Sequence, residues 1–374
     1  DDAGDWYRVT FSDGKKIQMT SDHPLPTQRG RVECKDLRIG DWVPLADMSG
    51  VIEISKIEFL GFTGQDRYDV TTSSDRFDVS GINSHNCRTR VMGNVHDRTK
   101  EIAYSRGNLS FTTINLPRLG IESRGDEKLF YEKLDEMLNL VSQQLLDRFE
   151  IQASKHVYNF PFLMGQGVWL DSDKLRNDDE IREVLKHGTL SIGFIGLAET
   201  LTALYGHHHG ESEEMQKKGL EIIRHMREFC DRKSQEHKMN FTLLATPAEG
   251  LSGRFIRMDK ERYGSLPGVT DREYYTNSFH IPVWFPITAY EKIKLEAPYH
   301  ALCNAGHISY VELDGDTVKN VEAFESIIRW MHDCQIGYGS INHPVDRDPV
   351  CGFVGVINDT CPRCGRKDGE AVSD

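Results

Sequence analysis

Three places in this 374-residue chain combine residue types and spacing that can do chemistry. Near the C-terminus, Cys351-Gly352 is followed by Cys361-Pro362-Arg363-Cys364-Gly365. In Cys-x-x-Cys-Gly a tight turn, permitted by the glycine, points two sulfurs at one ion, as zinc knuckles do. The usual partner is a second Cys-x-x-Cys, but the position three before Cys351 is Asp348. The spacing predicts a metal site with Cys351, Cys361 and Cys364 as ligands. It leaves the fourth ligand open between Asp348, His343, Cys334 and a residue beyond Asp374. A redox pair at Cys361 and Cys364 is the competing reading, and it does not account for Cys351.

The second place is His85-Asn86-Cys87. An asparagine amide can attack its own backbone carbonyl, close a succinimide and cut the chain after itself. A neighbouring histidine can polarise that carbonyl or protonate the leaving amine. A cysteine after the scissile bond is a good nucleophile, because its thiolate forms near neutral pH. Upstream, Thr20 and His23 stand three apart in Thr20-Ser21-Asp22-His23-Pro24, a spacing that can polarise a second scissile peptide. The third place is a set of polar turns beside apolar runs: Arg106-Gly107-Asn108, Asn115-Leu116-Pro117-Arg118, Thr246-Pro247-Ala248-Glu249, Tyr275-Thr276-Asn277-Ser278 and Asn304-Ala305-Gly306-His307. Singly, each reads as a capped helix end or a turn.

The elements that must position these residues change character near residue 87. Before it, Trp6–Phe11, Lys16–Thr20, Val51–Leu60, Arg67–Thr72 and Arg76–Val79 read as short strands between Gly, Ser and Asp, with no amphipathic helix. Residues 1–86 therefore read as all-β. After it the pattern is α/β. Across Asp126–Glu150, apolar Phe130, Leu134, Met137, Leu138, Val141, Leu145 and Phe149 recur in steps of three and four, which predicts one long helix. Glu211–His237 and Val321–Asp333 also read as helices, and Ser191–Leu197 and His280–Trp284 as buried strands or helix starts. From Asn342 the chain is rich in Gly, Pro, Asp and Cys and reads as a small loop-built module. His207-His208-His209, flanked by Gly206 and Gly210, reads as a solvated turn rather than a metal cluster. Cys230, Cys303 and Cys334 read as small buried apolar residues.

Composition narrows the class. With 45 Lys+Arg against 58 Asp+Glu the net charge is −13, which argues against a protein that coats nucleic acid. It leaves room for a site that holds a single nucleotide with a few local donors. No apolar run approaches the roughly 20 residues of a membrane span, and no secretory signal is visible at the start. Eight cysteines are too sparse for a disulfide scaffold and point to reduced thiols, hence a cytoplasmic protein without membrane attachment.

Ordered segments in the first part carry a resemblance. Thr20-Ser21-Asp22-His23, Leu37-Arg38-Ile39-Gly40-Asp41-Trp42-Val43, Tyr68-Asp69-Val70-Thr71 and His85-Asn86-Cys87 resemble the C-terminal part of an intein, the self-splicing Hint fold, over roughly residues 5–86. The resemblance implies that Thr20 and His23 assist upstream cleavage and that Asp69 assists the branched intermediate. It also implies that His85 is the penultimate histidine, Asn86 the cyclising asparagine and Cys87 the first residue of the host protein. Two departures bear on this: the chain starts at Asp1 with no initiating Cys or Ser well upstream of Thr20, and Asp75 stands where a histidine is common. Full splicing from this chain alone is not expected. The spacing from Leu45 to Tyr68 leaves no room for a homing endonuclease.

The segments Cys87-Arg88-Thr89-Arg90-Val91, Arg106-Gly107-Asn108-Leu109-Ser110-Phe111, Asn115-Leu116-Pro117-Arg118, Thr246-Pro247-Ala248-Glu249, Tyr275-Thr276-Asn277-Ser278-Phe279, Glu296-Ala297-Pro298-Tyr299-His300 and Cys303-Asn304-Ala305-Gly306-His307 resemble the C-terminal half of an anaerobic, class III ribonucleotide reductase. That family reduces ribonucleoside triphosphates by radical chemistry, for DNA synthesis, in a ten-stranded α/β barrel with a finger loop. The resemblance implies that Cys87 is the radical cysteine that removes the ribose 3′-hydrogen, that Asn108 hydrogen-bonds the substrate, and that Glu249 relays a proton for loss of the 2′-hydroxyl. It also implies formate as reductant (with Ser110 and nearby backbone N–H groups as candidates to hold it), a glycyl radical, a zinc-binding tail, a radical-SAM activating enzyme and a homodimer. The chain stops at Asp374 before the glycyl-radical segment. The structural alternatives are a helix cap at Asn108 and a first-turn helix residue at Glu249.

The expected architecture is multi-domain. An all-β Hint segment occupies residues 1–86, the α/β half of a glycyl-radical-enzyme barrel residues 87–341, and a small zinc-binding tail residues 342–374. The expected function is that of an anaerobic ribonucleoside-triphosphate reductase fragment. The alternative gives the chain's own activity to an intein module that cleaves after Asn86, with the reductase part as passenger. A zinc-bearing binding module without catalysis would explain the tail but not residues 87–341.

Overall fold

The computed structural model describes residues 6–14, 16–20, 24–44, 51–61, 76–79, 82–85, 95, 105–313, 320–342, 346–348, 350–355, 357 and 360–367. The chain divides into two compact units: Asp1–Arg88 with Tyr310–Phe324 and Tyr338–Asp374, and Thr89–Ser309 with Glu325–Gly337.

The first unit begins as antiparallel sheet. Strands β1 (Trp6–Phe11), β2 (Lys16–Thr20), β3 (Pro24–Thr27), β4 (Gly30–Glu33), β5 (Trp42–Pro44) and β6 (Val51–Gly61) form a sheet in the order β2-β1-β6-β5 and a β3–β4 hairpin. Val9 pairs with Ile17 on one side and Ile57 on the other. Period-two alternation buries Val9, Phe11, Ile17, Met19, Ile52 and Ile54 on one face, as a sheet solvated on its other face requires. The loop before β5 is tied by one carboxylate. Asp41 accepts from Gln28 Nε2 (3.0 Å), Arg29 Nη2 (2.5 Å) and the Arg38 backbone N–H (2.8 Å). The Arg29 hydrogen bond above all holds its pKa below the usual value. A further hairpin joins β7 (Arg76–Val79) to β8 (Ile82–His85). The strand expected over Arg67–Thr72 lies outside the described residues.

The second unit holds a parallel sheet ordered β11-β10-β9, built from β9 (Asn108–Asn115), β10 (Thr189–Ile195) and β11 (Asn240–Ala245). All residues of β10 and β11 are buried, as expected of parallel strands covered on both faces. The unit's helices are α1 (Leu116–Ser123), α2 (Glu127–Ala153), α3 (Arg182–Leu185), α4 (Leu197–Tyr205), α5 (Glu213–His237), α6 (Glu249–Tyr263) and α7 (Ala289–Leu302), of which α1, α2 and α5 pack against the sheet. Helix α2 starts where Asp126 caps it by accepting from the Leu129 N–H at 3.0 Å. Of the seven apolar positions read from sequence, Met137 is partly buried and the other six are core. Helix α5 starts two residues later than expected, because Ser212 is the cap and accepts from the Met215 N–H.

The segment His280–Trp284 is buried at its start but is neither strand nor helix. Side chains and a remote carbonyl replace the ladder there: the Ile281 N–H donates to Glu296 Oε1 (2.9 Å), and the His280 ring meets the Ile308 carbonyl (2.7 Å). Beyond α7 come β12 (Ser309–Glu312), α8 (Val321–Asp333) and β13 (Gly339–Asn342), then the two-residue strands β14 (Asp346–Arg347) and β15 (Val354–Gly355). Strand β12 pairs with β13 and β14 with β15. The helix at Val321–Asp333 agrees with the sequence expectation residue for residue. Among the described residues, no helix is long and apolar enough to cross a membrane.

Candidate functional site

Each strand of the parallel sheet runs directly into a helix, so three helix N-termini gather at one rim. Asn115 ends β9 and caps α1, Gly196 caps α4 behind β10, and Ala248 caps α6 behind β11. The carboxyl ends of strands in open α/β sheets are where ligands bind. Three of the segments that carry the sequence resemblance meet here: Asn115–Arg118, Thr246–Glu249 and Tyr275–Ser278.

Two buried carboxyl groups organise this rim, and the sequence reading singled out neither. Asp259, fully buried on α6, accepts from Asn115 Nδ2 (2.7 Å), Arg118 Nε (2.6 Å) and the Tyr275 hydroxyl (2.9 Å). It thereby ties β9, α1, α6 and the 275–278 turn together. Burial first, then the Asp259 charge, pushes the Tyr275 hydroxyl far up, so this tyrosine stays a donor. Glu199, on the first turn of α4, accepts through Oε1 from the Thr276 N–H (2.9 Å) and hydroxyl (2.6 Å). Its Oε2 is buried without a partner among the described residues. Burial raises its pKa, against the two Thr276 hydrogen bonds. Next along the turn, Asn277 Oδ1 accepts from the Ala248 N–H (3.0 Å) at the start of α6. The Thr113 and Thr246 hydroxyls meet at 2.9 Å across β10. Gly193 is required beneath them, because a Cβ there would collide with both oxygens.

The opposite edge of the sheet carries a different polar group. Asn108 opens β9 beside Thr189, whose hydroxyl donates to Asn108 Oδ1. Asn240, the first residue of β11, accepts the Val95 N–H (2.8 Å) and donates to the His187 and Gly188 carbonyls. Val95, eight residues after Cys87, is therefore anchored at the same edge as Asn108.

These placements locate several of the residues singled out from sequence. Asn108 is a strand residue, not a helix cap. Glu249 is the first residue of α6, the helix-start position that was its structural alternative. Asn108 opens β9, whereas Glu249 follows the far end of β11, beyond Thr246–Ala248. Cys87 lies outside the described residues, as do His23, Asp69 and Asn86; Thr20 ends β2 and His85 ends β8.

The three-histidine turn is also corrected. Only His207 is exposed, while His208 and His209 are buried. His209 packs against Tyr299 and meets the Phe279 carbonyl at 2.8 Å; desolvation first lowers its pKa to about 4. Cys230 and Cys303 are buried as expected, and burial pushes both thiols well up, whereas Cys334 is half-exposed.

In the tail, one ligand atom each from Asp348, Cys351, Cys361 and Cys364 lie within 4.8 Å of one another. Cys351 Sγ is 3.6 Å from Cys361 Sγ, and Cys364 Sγ is 3.1 Å from Asp348 Oδ2. Tetrahedral ligands at about 2.3 Å from a zinc ion would stand about 3.8 Å apart, so the sulfur spacing fits a metal of that size. The carboxylate hydrogen bond pushes the Cys364 thiol up to about 12. An ion would displace that proton.

A family model described as "Anaerobic ribonucleoside-triphosphate reductase" matches residues 56–373, starting within the segment read from sequence as intein. The anaerobic ribonucleoside-triphosphate reductase of Salmonella typhimurium is 36% identical over 296 residues, covering 77% of this chain and 41% of that protein. The reductase of Enterobacteria phage T4 is 33% identical over 321 residues, covering 82% and 51%. The chain thus spans about half the length of the curated relatives it matches. The anaerobic ribonucleotide reductase of Thermotoga maritima, solved in complex with dATP and CTP, is 19% identical with a TM-score of 0.53, over 72% of this chain and 41% of that one. This likeness concerns the fold alone. A solved intein covers 22% of the chain at a TM-score of 0.20, which decides nothing about residues 6–85. With the matched span covering well over half of its length, the chain belongs to the anaerobic ribonucleoside-triphosphate reductase family.

Proposed function

We propose that this chain is the C-terminal barrel part of an enzyme that reduces ribonucleoside triphosphates to deoxyribonucleotides by radical chemistry. The observation that carries the reading is the meeting of three family segments at the carboxyl rim of a parallel sheet, around the buried Glu199 and Asp259. Cys87 would act as a thiyl radical and take the ribose 3′-hydrogen, since an S–H bond is weak enough to pass a hydrogen atom to and from carbon. Asn108 would hydrogen-bond the same sugar, which fits Val95 being anchored at its edge of the sheet. Glu249 would relay a proton for loss of the 2′-hydroxyl. Formate as reductant, a glycyl radical, a radical-SAM activating enzyme and a homodimer belong to the same proposal.

The tail is proposed to hold zinc through Cys351, Cys361 and Cys364, with the ion fixing two turns that have little core of their own. A second reading concerns residues 1–86, proposed as the C-terminal part of an intein. Its support is the ordered motif set, the antiparallel sheet and a hairpin that ends at His85, directly before Asn86 and Cys87.

The test of the main reading is turnover in a polypeptide of the relatives' full length that carries this sequence, activated anaerobically and supplied with formate. Cys87→Ser should abolish deoxynucleotide formation while leaving nucleotide binding in place. Undiminished turnover by that variant would overturn the reading.

A further inference from the structure

The metal-site reading leaves its fourth ligand unnamed, and the fold of the tail supplies it. Two short turns make up the cluster, and they repeat one another. The first reads Asp348-x-x-Cys351-Gly352 and the second Cys361-x-x-Cys364-Gly365. Each is closed by the same backbone bond: the Gly352 N–H donates to the Asp348 carbonyl at 2.8 Å, and the Gly365 N–H to the Cys361 carbonyl at 2.9 Å. Each ends on a glycine in the left-handed region, with φ of 70° and 76°. Burial repeats as well: the first residue of each turn is buried, Asp348 at 2% and Cys361 at 3% exposure, while the later cysteine is more open. By this correspondence Asp348 occupies in the first turn the place that the sulfur ligand Cys361 occupies in the second.

The carboxylate is also prepared for that place. Asp348 Oδ1 accepts from the Val350 N–H (2.8 Å) and the Cys351 N–H (3.2 Å), which fixes its plane. Arg366 Nη1 stands 3.9 Å from the same oxygen. Oδ2 is turned to the sulfur cluster, 3.1 Å from Cys364 Sγ. An aspartate carries the same single negative charge as the thiolate it would replace, so the ligand set keeps its total charge. Its oxygen is a harder donor than sulfur and suits a divalent ion such as zinc less tightly than a fourth thiolate would.

We propose that Asp348 is the fourth metal ligand, binding through Oδ2 alone, so that the tail forms a three-sulfur, one-oxygen site. The proposal rests on the reading of the tail as a metal site. It is tested with Zn²⁺ and Co²⁺ on the reduced, full 374-residue chain, without reference to activity. Zinc X-ray absorption should resolve three sulfurs at about 2.3 Å and one oxygen at about 2.0–2.2 Å. Asp348→Cys should convert this to four sulfurs, raise the thiolate-to-cobalt charge-transfer intensity per ion by about a third (four thiolates against three), and slow metal loss to a chelator at least about tenfold. Asp348→Ala should remove the short oxygen shell or weaken zinc binding at least about tenfold. His343→Ala and Cys334→Ser should leave the spectrum unchanged. Four sulfurs in the unaltered chain, or loss of the light-atom shell in His343→Ala, would overturn the assignment of Asp348. A failure of the unaltered chain to bind either ion at all would overturn the metal-site reading with it. Neither result would touch the reductase reading, which depends on the barrel.

Discussion

The Glu199 carboxyl accepts both the N–H and the hydroxyl of Thr276 through one oxygen, at 2.9 and 2.6 Å. Its other oxygen is buried without a partner among the described residues. Thr276 precedes Asn277, which in turn accepts from the Ala248 N–H at the head of α6. One buried acid thus sets the turn that aligns the start of the helix carrying Glu249 and Asp259.

This arrangement has a pH signature. Burial raises the Glu199 pKa in the folded chain. The native state then holds a proton that the unfolded state gives up from about pH 4.5 upward, so its stabilising contribution is complete below that pH and is lost as pH rises through the folded value. Glu199→Gln cannot ionise and should escape this loss. Urea unfolding at pH 5 and pH 8 should show the variant gaining on the parent at the higher pH. An equal difference at both values would contradict a raised Glu199 pKa.

Asp259 should be costly to remove. It is fully buried and paired with Arg118, Asn115 and Tyr275. Asp259→Ala leaves these donors without their acceptor and should cost about 3–5 kcal/mol in denaturant unfolding. The double variant Arg118→Ala/Asp259→Ala should recover part of that. A double variant no more stable than Asp259→Ala alone would show that the pair is not what matters.

His209 acts on the acid side. Desolvation lowers its pKa from 6.5 to about 4. Between those values the unfolded chain binds a proton that the folded chain does not, so stability falls as pH drops through this window, by at most about 3 kcal/mol. His209→Gln should flatten the dependence between pH 6.5 and 4. An unchanged slope would assign the acid sensitivity to other groups.

The proposed intein chemistry is read by mass. On long incubation at neutral pH, the chain should divide between Asn86 and Cys87, and Asn86→Ala should not. An intact full-length mass in both would remove that reading.

The long elements were legible because local pattern and tertiary packing agree in them: α2 follows its apolar positions, and α8 was placed to the residue. The rim was legible only as separate polar segments, since nothing local says that Asn115, Thr246 and Asn277 meet. Glu199 did leave a signal, an acid inside the apolar run from Ser191 to Leu201. His208 and His209 misled because three histidines between glycines look solvated, while their burial comes from Phe279, Phe285 and Tyr299, some 70 to 90 positions further along the chain. The separation of Asn108 from Glu249 depends on strand direction, which only the parallel ladder fixes. In the tail, by contrast, the Asp-x-x-Cys-Gly spacing already marked Asp348 as one of four candidates.

The central claim is that Cys87 removes the 3′-hydrogen of a ribonucleotide bound to this barrel. The most direct measurement is turnover of a ribonucleoside triphosphate deuterated at C3′ by the full-length, activated polypeptide. The account predicts a normal isotope effect on kcat/KM, and no deoxynucleotide from Cys87→Ser. Deoxynucleotide formation by Cys87→Ser would contradict it.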